Sequence, residues 1–279
     1  MTEDDLSFLA RLVRRRSGLV LPTNKTRFVA GQLAPVMRRF GFRTIDGLMA
    51  ELRHGRDTLA RAVTEAMTTN ESSFFRDKSA FEHFRDLILP RLLQDRARSK
   101  RLRIWCAACA AGQEPYSIAM LLDDAGLVSK GWSIDLIATD LSTEMVARGE
   151  DGLYTHFEVQ RGLAIRRLVA HFAQEGGSWR IHENLRRMVT FRQFNLLDSF
   201  GWLDDLDVVF CRNVLIYFER KTKIDVLDKI ADVLTPDGAL MLGHAESVRG
   251  LSDSFVAVDH APGIFVKGKA AAQRYAATG

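Results

Sequence analysis

The chain has 279 residues, of which 47% are apolar and 27% are charged, and its formal net charge is +4. These values are typical of an ordinary globular protein with one large domain, or with one medium and one small domain. We find no apolar run long enough to span a bilayer, and the acidic start MTEDDLSF argues against a signal peptide. Three cysteines, an odd number, argue against a disulfide framework and favour a reducing compartment, so we predict a cytoplasmic protein.

The positive charge is concentrated near the N-terminus. Residues 1–70 hold 12 Lys or Arg against 7 Asp or Glu. Residues 6–45 contain no acid and nine bases, which are Arg11, Arg14, Arg15, Arg16, Lys25, Arg27, Arg38, Arg39 and Arg43. This basic segment is either a solvated helical surface or a docking surface for an acidic partner, which would be a nucleic acid or an acidic protein face.

The residues from 1 to 70 predict a small all-helical domain. A first helix is predicted to end at Gly18, with a capping box formed by Thr2 and Asp5. A second is predicted from about Asn24 to Phe40, with a kink or a break at Pro35. Two more helices follow the candidate N-caps Thr44 and Thr58.

Residues 71–98 are predicted to form a linking helix, broken at Pro90, together with the start of a ligand site. From 99 to 270, short apolar strands alternate with helices of 10–15 residues, which predicts an α/β domain with a doubly wound, mainly parallel sheet. The predicted helices cover 114–124, 142–150 and 220–234, and the predicted strands are LRIWCAA, SIDLIATD, MVTFRQF, DVVFCRN and ALMLGH. The last two apolar runs, FVAVDH and GIFVKG, predict an antiparallel hairpin at the sheet edge, and residues 151–187 are predicted to be an insertion.

Polar residues follow four of the predicted strands, where ligands bind in sheets of this kind. They are Gly112 with Glu114, Asp140, Asn195, and Arg212 with Asn213. An unpaired buried charge costs several kcal/mol, so Arg212 must meet a partner, a ligand or water.

The residue types at these strand ends favour one class of ligand. The turn from Ala108 to Gly112 is made of small residues but is neither GxGxxG nor a P-loop, so it does not indicate ATP. Asp140 lies where an acid would bind ribose hydroxyls. Together with Glu114 it suits a ligand with a ribose and a positive centre, which describes S-adenosylmethionine. Two alternatives remain: Asp140 caps a helix, and Arg212 merely pairs with Asp140 or Glu114.

Two further patterns are candidate sites. Cys106 and Cys109 form a CxxC, but the third cysteine is Cys211 and no His pair stands at ligand spacing, so we predict no metal site. His244 and Glu246 in GHAES form either an acid–base pair or, by our preferred interpretation, a structural or substrate-lining element.

The chain resembles the chemotaxis receptor methyltransferases of the CheR type from about Asp4 to Lys267. The resemblance rests on ordered blocks, which are TTNESSFFRD, WCAACAAGQEPYSIAM, ATDLSTEM, FNLLD, FCRNVLIYF and LTPDGALMLGHAES. It implies a Rossmann-like S-adenosylmethionine-dependent methyltransferase domain with a small β insertion, preceded by a small all-helical domain. In some relatives the insertion binds a receptor's C-terminal peptide, but the short loop at Gly176 and Gly177 argues against that here.

The resemblance also implies the site residues and the reaction. The implied cofactor contacts are Asn70, Ser72, Arg76, Glu114, Asp140, Asn195, Leu196, Arg212 and Asn213. Tyr217 matches a tyrosine beside the transferred methyl group, so Arg76 and Tyr217 are the implied catalytic residues. Ser72 stands where the family often has Thr, and Gln113 replaces a frequent Glu. The implied activity is that of a protein-glutamate O-methyltransferase, which forms glutamyl methyl esters on receptors and releases S-adenosylhomocysteine.

The implied partner is the acidic cytoplasmic helical region of a chemotaxis receptor, bound by the basic segment. We expect a monomer that inserts in no membrane and binds no nucleic acid. The competing hypotheses are an RNA methyltransferase, suggested by the basic segment, and a non-catalytic sensor of S-adenosylmethionine.

Overall fold

The computed structural model describes residues 1–21 and 26–276. Within these ranges the chain begins with four helices that pack around an apolar core of their own. They are α1 (Glu3–Ser17), α2 (Thr26–Phe40), α3 (Ile45–Arg53) and α4 (Asp57–Ala66). The predicted helix start at Asn24 and the basic residue Lys25 lie outside the described residues.

The starts of these helices follow the predicted caps with one exception. The capping box of Thr2 and Asp5 is confirmed by two hydrogen bonds of 2.9 and 3.1 Å. Thr44 caps α3 as predicted, with its hydroxyl oxygen accepting the Gly47 N–H at 3.2 Å. The prediction for Thr58 is wrong, because α4 already begins at the preceding residue.

The helix α2 continues through Pro35, so the predicted break there is wrong, whereas the predicted kink stays a prediction. Proline inside a helix removes one backbone hydrogen bond and costs about 3 kcal/mol. The same helix buries Val29, Leu33 and Val36, and a buried aliphatic side chain contributes about 1.5–3 kcal/mol. The free energy gained by burying the apolar face of α2 therefore exceeds the cost of proline inside the helix.

The first four helices are followed by a helical segment in which the spacing of the backbone hydrogen bonds changes. It consists of α5 (Lys78–His83), a π-helical turn (Phe84–Ile88) and α6 (Leu89–Asp95). Pro90 lies in the first turn of α6, where a residue without an N–H is tolerated. The Leu89 N–H donates to the Phe84 carbonyl in the π pattern. The helical segment thus continues past Pro90 with a changed spacing of its backbone hydrogen bonds.

The rest of the described chain alternates strands and helices. The strands are β1 (Arg101–Ala107), β2 (Ser133–Asp140), β3 (Leu153–Thr155), β4 (Phe172–Glu175), β5 (Ser178–Ile181), β6 (Val189–Gln193), β7 (Leu206–Cys211), β8 (Leu234–Leu242), β9 (Phe255–Ala257) and β10 (Ile264–Lys267). The helices are α7 (Gln113–Asp124), α8 (Thr143–Asp151), α9 (His156–Gln160), α10 (Ile165–His171), α11 (Glu183–Arg186), α12 (Arg220–Val233) and α13 (Gly268–Ala276). In the ranges that the structure describes, no helix is both long and apolar enough to cross a membrane.

The main sheet of the described chain has seven strands in the order β6-β2-β1-β7-β8-β10-β9. The strands from β6 to β8 pair in parallel, and β10 runs antiparallel to β8 and β9. The predicted mainly parallel sheet with an antiparallel edge hairpin is confirmed. The strand order reverses between β1 and β7, and the carboxyl ends of these strands border the crevice where ligands bind. The other three strands, β3, β5 and β4, form a small antiparallel sheet.

Strands of the main sheet are apolar on both faces because helices cover both. Along β1, Leu102, Ile104 and Cys106 join one apolar cluster, whereas Trp105 and Ala107 join the other. This alternation is the two-residue period of a strand. The sequence of β1 therefore reads as a continuous apolar run, as is typical of a central parallel strand.

The helical region contacts the carboxyl edge of this sheet. The Val20 N–H donates to the Tyr217 carbonyl at 2.9 Å. The Asn195 side-chain amide donates to the Arg16 carbonyl at 2.6 Å. The carboxylate of Glu65 accepts two hydrogen bonds from the first residue of α8. These contacts place the end of α1 over the crevice.

Candidate active site

A cavity opens at the carboxyl edge of the sheet, beside the point where the strand order reverses. Its walls come from four strand ends, from the segment before β1 and from the end of α1. All ten side chains predicted to contact cofactor or substrate line it, and they are Asn70, Ser72, Arg76, Glu114, Asp140, Asn195, Leu196, Arg212, Asn213 and Tyr217. The fold therefore brings together residues that are spread over half of the sequence.

The turn after β1 brings the backbone itself to the cavity. Ala108 and Ala110 line the cavity, and their φ angles are positive, at 60° and 48°. Left-handed backbone is strained for a residue with a Cβ and clusters at functional sites. At Gly112, where φ is 89°, a Cβ would come within 3.0 Å of the Phe191 ring. Small residues are thus needed for the chain to curve along the cavity.

Asp140, at the end of β2, is held by two backbone N–H groups. One of its oxygens accepts the Ala110 N–H at 2.8 Å, and the other accepts the Ser142 N–H at 2.9 Å. Burial raises the pKa of Asp140, and these N–H groups oppose the rise. A carboxylate oxygen has a second lone pair, so both can still accept bonds from hydroxyl groups. The residue therefore shapes the start of α8 and remains suited to a ribose.

Arg212, at the end of β7, is buried and held by protein groups. It donates to Glu114 at 2.8 Å, to Asp77 at 2.9 Å and to the Arg76 carbonyl at 2.8 Å. Of the two pairings given as the alternative for Arg212, the one with Glu114 is present and the one with Asp140 is not found among the described residues. Burial raises the pKa of Glu114, and the guanidinium opposes that rise. The charge of Arg212 is thus compensated by two carboxylates, and the cluster joins α7 to β7.

Glu246 holds the loop that follows β7. Its carboxylate accepts four backbone N–H groups at 2.7–3.3 Å, from Asn213, Val214, Ile216 and Gly243. A Cβ on Gly243 would come within 2.7 Å of both Asn213 and Glu246, so only glycine allows this close approach. His244 is exposed. The preferred structural interpretation of Glu246 is confirmed, and sequence reasoning did not identify which groups it binds.

Arg76 and Tyr217 lie on the cavity wall and are half-buried. The Arg76 guanidinium donates to the Glu71 carbonyl oxygen at 2.9 Å. Among the residues described, no carboxylate lies within ion-pair distance of Arg76, unlike Arg212. Arg76 is therefore a cation of the wall that is available to an anionic group.

The end of α1 supplies residues that sequence reasoning missed. Ser17 and Leu19 line the cavity, and Thr68 and Thr69 line it beside the predicted Asn70. Nothing local marks the first two as site residues, because they reach the cavity through long-range contacts. The other two stand in the TTNESSFFRD block, which was a signal that could have found them.

The CxxC cysteines are inert in this environment. Cys106 and Cys109 are buried, and neither forms a disulfide. Burial raises the pKa of both thiols well above the ordinary value. Because the thiolate is the reactive form, these cysteines are packing residues.

Comparison with known families assigns both parts of the chain. Residues 70–264 match the family described as CheR methyltransferase, SAM binding domain. Residues 4–68 match the family described as CheR methyltransferase, all-alpha domain.

Curated relatives match over nearly their whole length. Chemotaxis protein methyltransferase 1 of Pseudomonas aeruginosa is 38% identical over 269 residues, which are 95% of this chain and 98% of the relative. Chemotaxis protein methyltransferase Cher2 of Pseudomonas putida is 38% identical over 92% of this chain and 95% of the relative. The chemotaxis protein methyltransferase of Vibrio parahaemolyticus is 36% identical over 96% of this chain and 98% of the relative.

Proposed function

The chain belongs to the CheR methyltransferase family, and on that premise we propose how its cavity methylates a receptor. Membership confirms the predicted fold class, the predicted S-adenosylmethionine-dependent activity in chemotaxis and the enzyme class of a protein-glutamate O-methyltransferase. It gives no support to the RNA methyltransferase or to the non-catalytic sensor. We further propose the division of the chain at 1–70, 71–98 and 99–270, with 151–187 as the β insertion.

The residues of the cavity fit the cofactor chemically. S-adenosylmethionine supplies, when bound, an electrophilic methyl group on a sulfonium. Asp140 is suited to the ribose hydroxyls, because each of its oxygens keeps one acceptor site. The amide groups of Asn70, Asn195 and Asn213 and the hydroxyl of Ser72 offer further hydrogen bonds, and Leu196 offers an apolar contact. Glu114 and Arg212, which are paired with each other, contribute a carboxylate and a guanidinium to the cavity wall.

The reaction needs alignment and not a general base. A glutamate side chain with a pKa near about 4.3 is already ionised at neutral pH, so no proton has to be removed. Correct placement of the two reactants lowers a barrier by roughly 7–11 kcal/mol. This explains why no histidine–carboxylate pair is needed among the described residues that line the cavity.

Arg76 and Tyr217 are the proposed orienting residues. Arg76 has no carboxylate partner among the described residues, so its guanidinium can receive the incoming glutamate or the carboxylate of the cofactor. Tyr217 lines the cavity, and its backbone is held because its carbonyl accepts the Val20 N–H and the preceding Ile216 N–H donates to Glu246.

The proposed partner is the acidic cytoplasmic helical region of a chemoreceptor, met in the cytoplasm by a monomer of this chain. The support is the basic segment, whose described cations are almost all exposed. Those without an acidic partner within 4 Å among the described residues are Arg11, Arg15, Arg27, Arg38, Arg39 and Arg43. Exposed cations of this density attract an acidic surface.

The observation that carries the proposal is the convergence of all ten predicted side chains on one cavity. The test is transfer of radiolabelled methyl from S-adenosylmethionine to a purified chemoreceptor cytoplasmic fragment, followed by mild alkali. Label that is released by alkali is expected, because a glutamyl methyl ester is base-labile. Arg76→Ala should lower the rate at saturating cofactor, with Arg98→Ala as a control at an exposed arginine outside the basic segment. An unchanged Arg76→Ala rate would remove Arg76 from the mechanism.

A further inference from the structure

Tyr154 links the small antiparallel sheet to the wall of the cavity. It lies in β3, and only 1% of it is exposed. Its phenol hydroxyl donates to the Ala111 carbonyl oxygen at 2.7 Å. Ala111 belongs to the turn after β1 and directly follows Ala110, which lines the cavity. A side chain of the β insertion is therefore hydrogen-bonded to the backbone of the turn that forms part of the cavity wall.

The Tyr154 hydroxyl is the donor that this carbonyl depends on. Ala111 is 2% exposed, so water has little access to its carbonyl oxygen. Among the described residues, neither a backbone N–H nor another side chain donates to that oxygen. A buried carbonyl without a donor is unfavourable, because it has given up its hydrogen bonds with water and gained none in return. The hydroxyl therefore fixes this part of the turn.

The turn needs such support because its backbone is strained. The φ angles of Ala110 and Gly112 are 48° and 89°. Conformations of this kind persist only where the surrounding structure holds them. On one side of the turn, Asp140 accepts the Ala110 N–H at 2.8 Å. On the other side, Tyr154 donates to the next carbonyl. The turn is thus held between the end of β2 and the first strand of the small sheet.

The ring of Tyr154 supports a second part of the wall. It lies 4.9 Å from the ring of Phe74 in an edge-to-face arrangement. Phe74 is fully buried and stands between Ser72 and Arg76, which both line the cavity. Burial raises the pKa of the Tyr154 phenol well above its ordinary value, so the hydroxyl keeps its proton and remains a donor at neutral pH. Ring and hydroxyl therefore have separate contacts, and removal of the hydroxyl alone addresses the turn.

We propose that Tyr154 is a positioning residue for S-adenosylmethionine, whose hydroxyl holds the turn after β1 in the conformation that receives the cofactor. Tyr154 does not line the cavity, so it acts through the Ala111 carbonyl. The β insertion thereby takes part in cofactor binding. This inference rests on the proposed cofactor cavity and adds a residue that shapes its wall.

The experiment compares wild type with Tyr154→Phe, which removes the hydroxyl and keeps the ring. The Kd for S-adenosylhomocysteine, measured by calorimetry, should rise about tenfold, which corresponds to about 1.4 kcal/mol, at an unchanged stoichiometry. In methylation of a purified chemoreceptor cytoplasmic fragment, the apparent KM for S-adenosylmethionine should rise while kcat at saturating cofactor stays near the wild-type value. A general loss of folded protein would instead lower the stoichiometry and kcat and leave Kd and KM unchanged.

Tyr116→Phe is the matched control. Tyr116 is fully buried, and its hydroxyl donates to the Gly149 carbonyl, also at 2.7 Å. Neither Tyr116 nor Gly149 is among the described residues that line the cavity. The control therefore removes an equally short hydrogen bond of a buried tyrosine away from the cavity wall. Its Kd for S-adenosylhomocysteine should equal that of wild type.

The possible results separate this inference from the proposed function. An unchanged Kd for Tyr154→Phe, or an equal rise in Kd for both variants, would overturn the positioning role of Tyr154. A Tyr154→Phe chain that does not fold, as judged by circular dichroism, would overturn it too, because the hydroxyl would then be required for the whole fold. A wild type that binds no S-adenosylhomocysteine would instead overturn the proposed cofactor cavity.

Discussion

Replacement of Glu246 by Gln tests whether one carboxylate holds the catalytic loop. Each oxygen of Glu246 accepts two backbone N–H groups, at 2.7 and 2.7 Å on one oxygen and at 3.0 and 3.3 Å on the other. Glutamine has nearly the same shape but replaces one oxygen by an NH₂ group, which is a donor. Whichever oxygen is lost, two backbone N–H groups lose their acceptor and meet another donor.

The magnitude follows from those two lost hydrogen bonds. A buried donor left without a partner costs about 1–3 kcal/mol. Because Glu246 is only half-buried, water compensates part of the loss, and we expect Glu246→Gln to lower the free energy of unfolding by about 2–4 kcal/mol. If displacement of the loop also weakens the binding of S-adenosylhomocysteine by about 1.4 kcal/mol, its Kd rises about tenfold.

The assay combines urea unfolding, followed by circular dichroism, with calorimetry of S-adenosylhomocysteine binding. Glu150→Gln is the matched control, since it makes the same chemical change at an exposed position on α8. That variant should unfold and bind as wild type does. If Glu246→Gln also matched wild type in both measurements, the argument that this carboxylate holds the loop would be refuted.

Three further predictions follow from charges seen in the structure. Arg212→Met should lower the free energy of unfolding by about 3–5 kcal/mol, because it leaves Glu114 as an uncompensated buried group. Adding Glu114→Gln to this variant should restore part of the lost stability. An unchanged urea midpoint for Arg212→Met would contradict the reasoning. The Thr2 N–H and Arg53 hold the pKa of Asp5 at about 2, below its ordinary value of 3.8. Its stabilising contribution is therefore complete above pH 3.8 and is lost as the pH falls towards 2. The cost of Asp5→Asn, about 1 kcal/mol at pH 7, should therefore vanish over that interval in pH-dependent unfolding. The KM for a receptor fragment should rise with salt, because exposed charges are screened beyond about 8 Å at physiological ionic strength; a KM independent of salt would argue against docking by the basic segment.

Local patterns predicted most of the architecture. The continuous apolar runs of β1 and β7, the small residues around Gly112 and the capping box at Thr2 are properties of short stretches, so they can be read without knowing what lies nearby. The polar residues after four strands predicted the place of the cavity, because parallel strands end at the same edge of a sheet.

Local preference failed where packing opposed it. Pro35 was expected to break α2, but the buried face of that helix holds it together. The segment at Pro90 changes to a π-helical turn instead of ending. In both places the free energy of burying apolar side chains exceeds a cost that a proline imposes on only one or two hydrogen bonds.

The sequence by itself determined the order of the strands along the chain, the polar edge of the sheet and, through the family blocks, the enzyme class. Only the tertiary structure decided that Arg212 pairs with Asp77 as well as Glu114, that Glu246 binds four N–H groups, and that the end of α1 closes the cavity. The physical reason is that these contacts join residues that are far apart in sequence. Short-range periodicity carries no information about them, because only the packing of α1 and the strand ends brings them within hydrogen-bond distance.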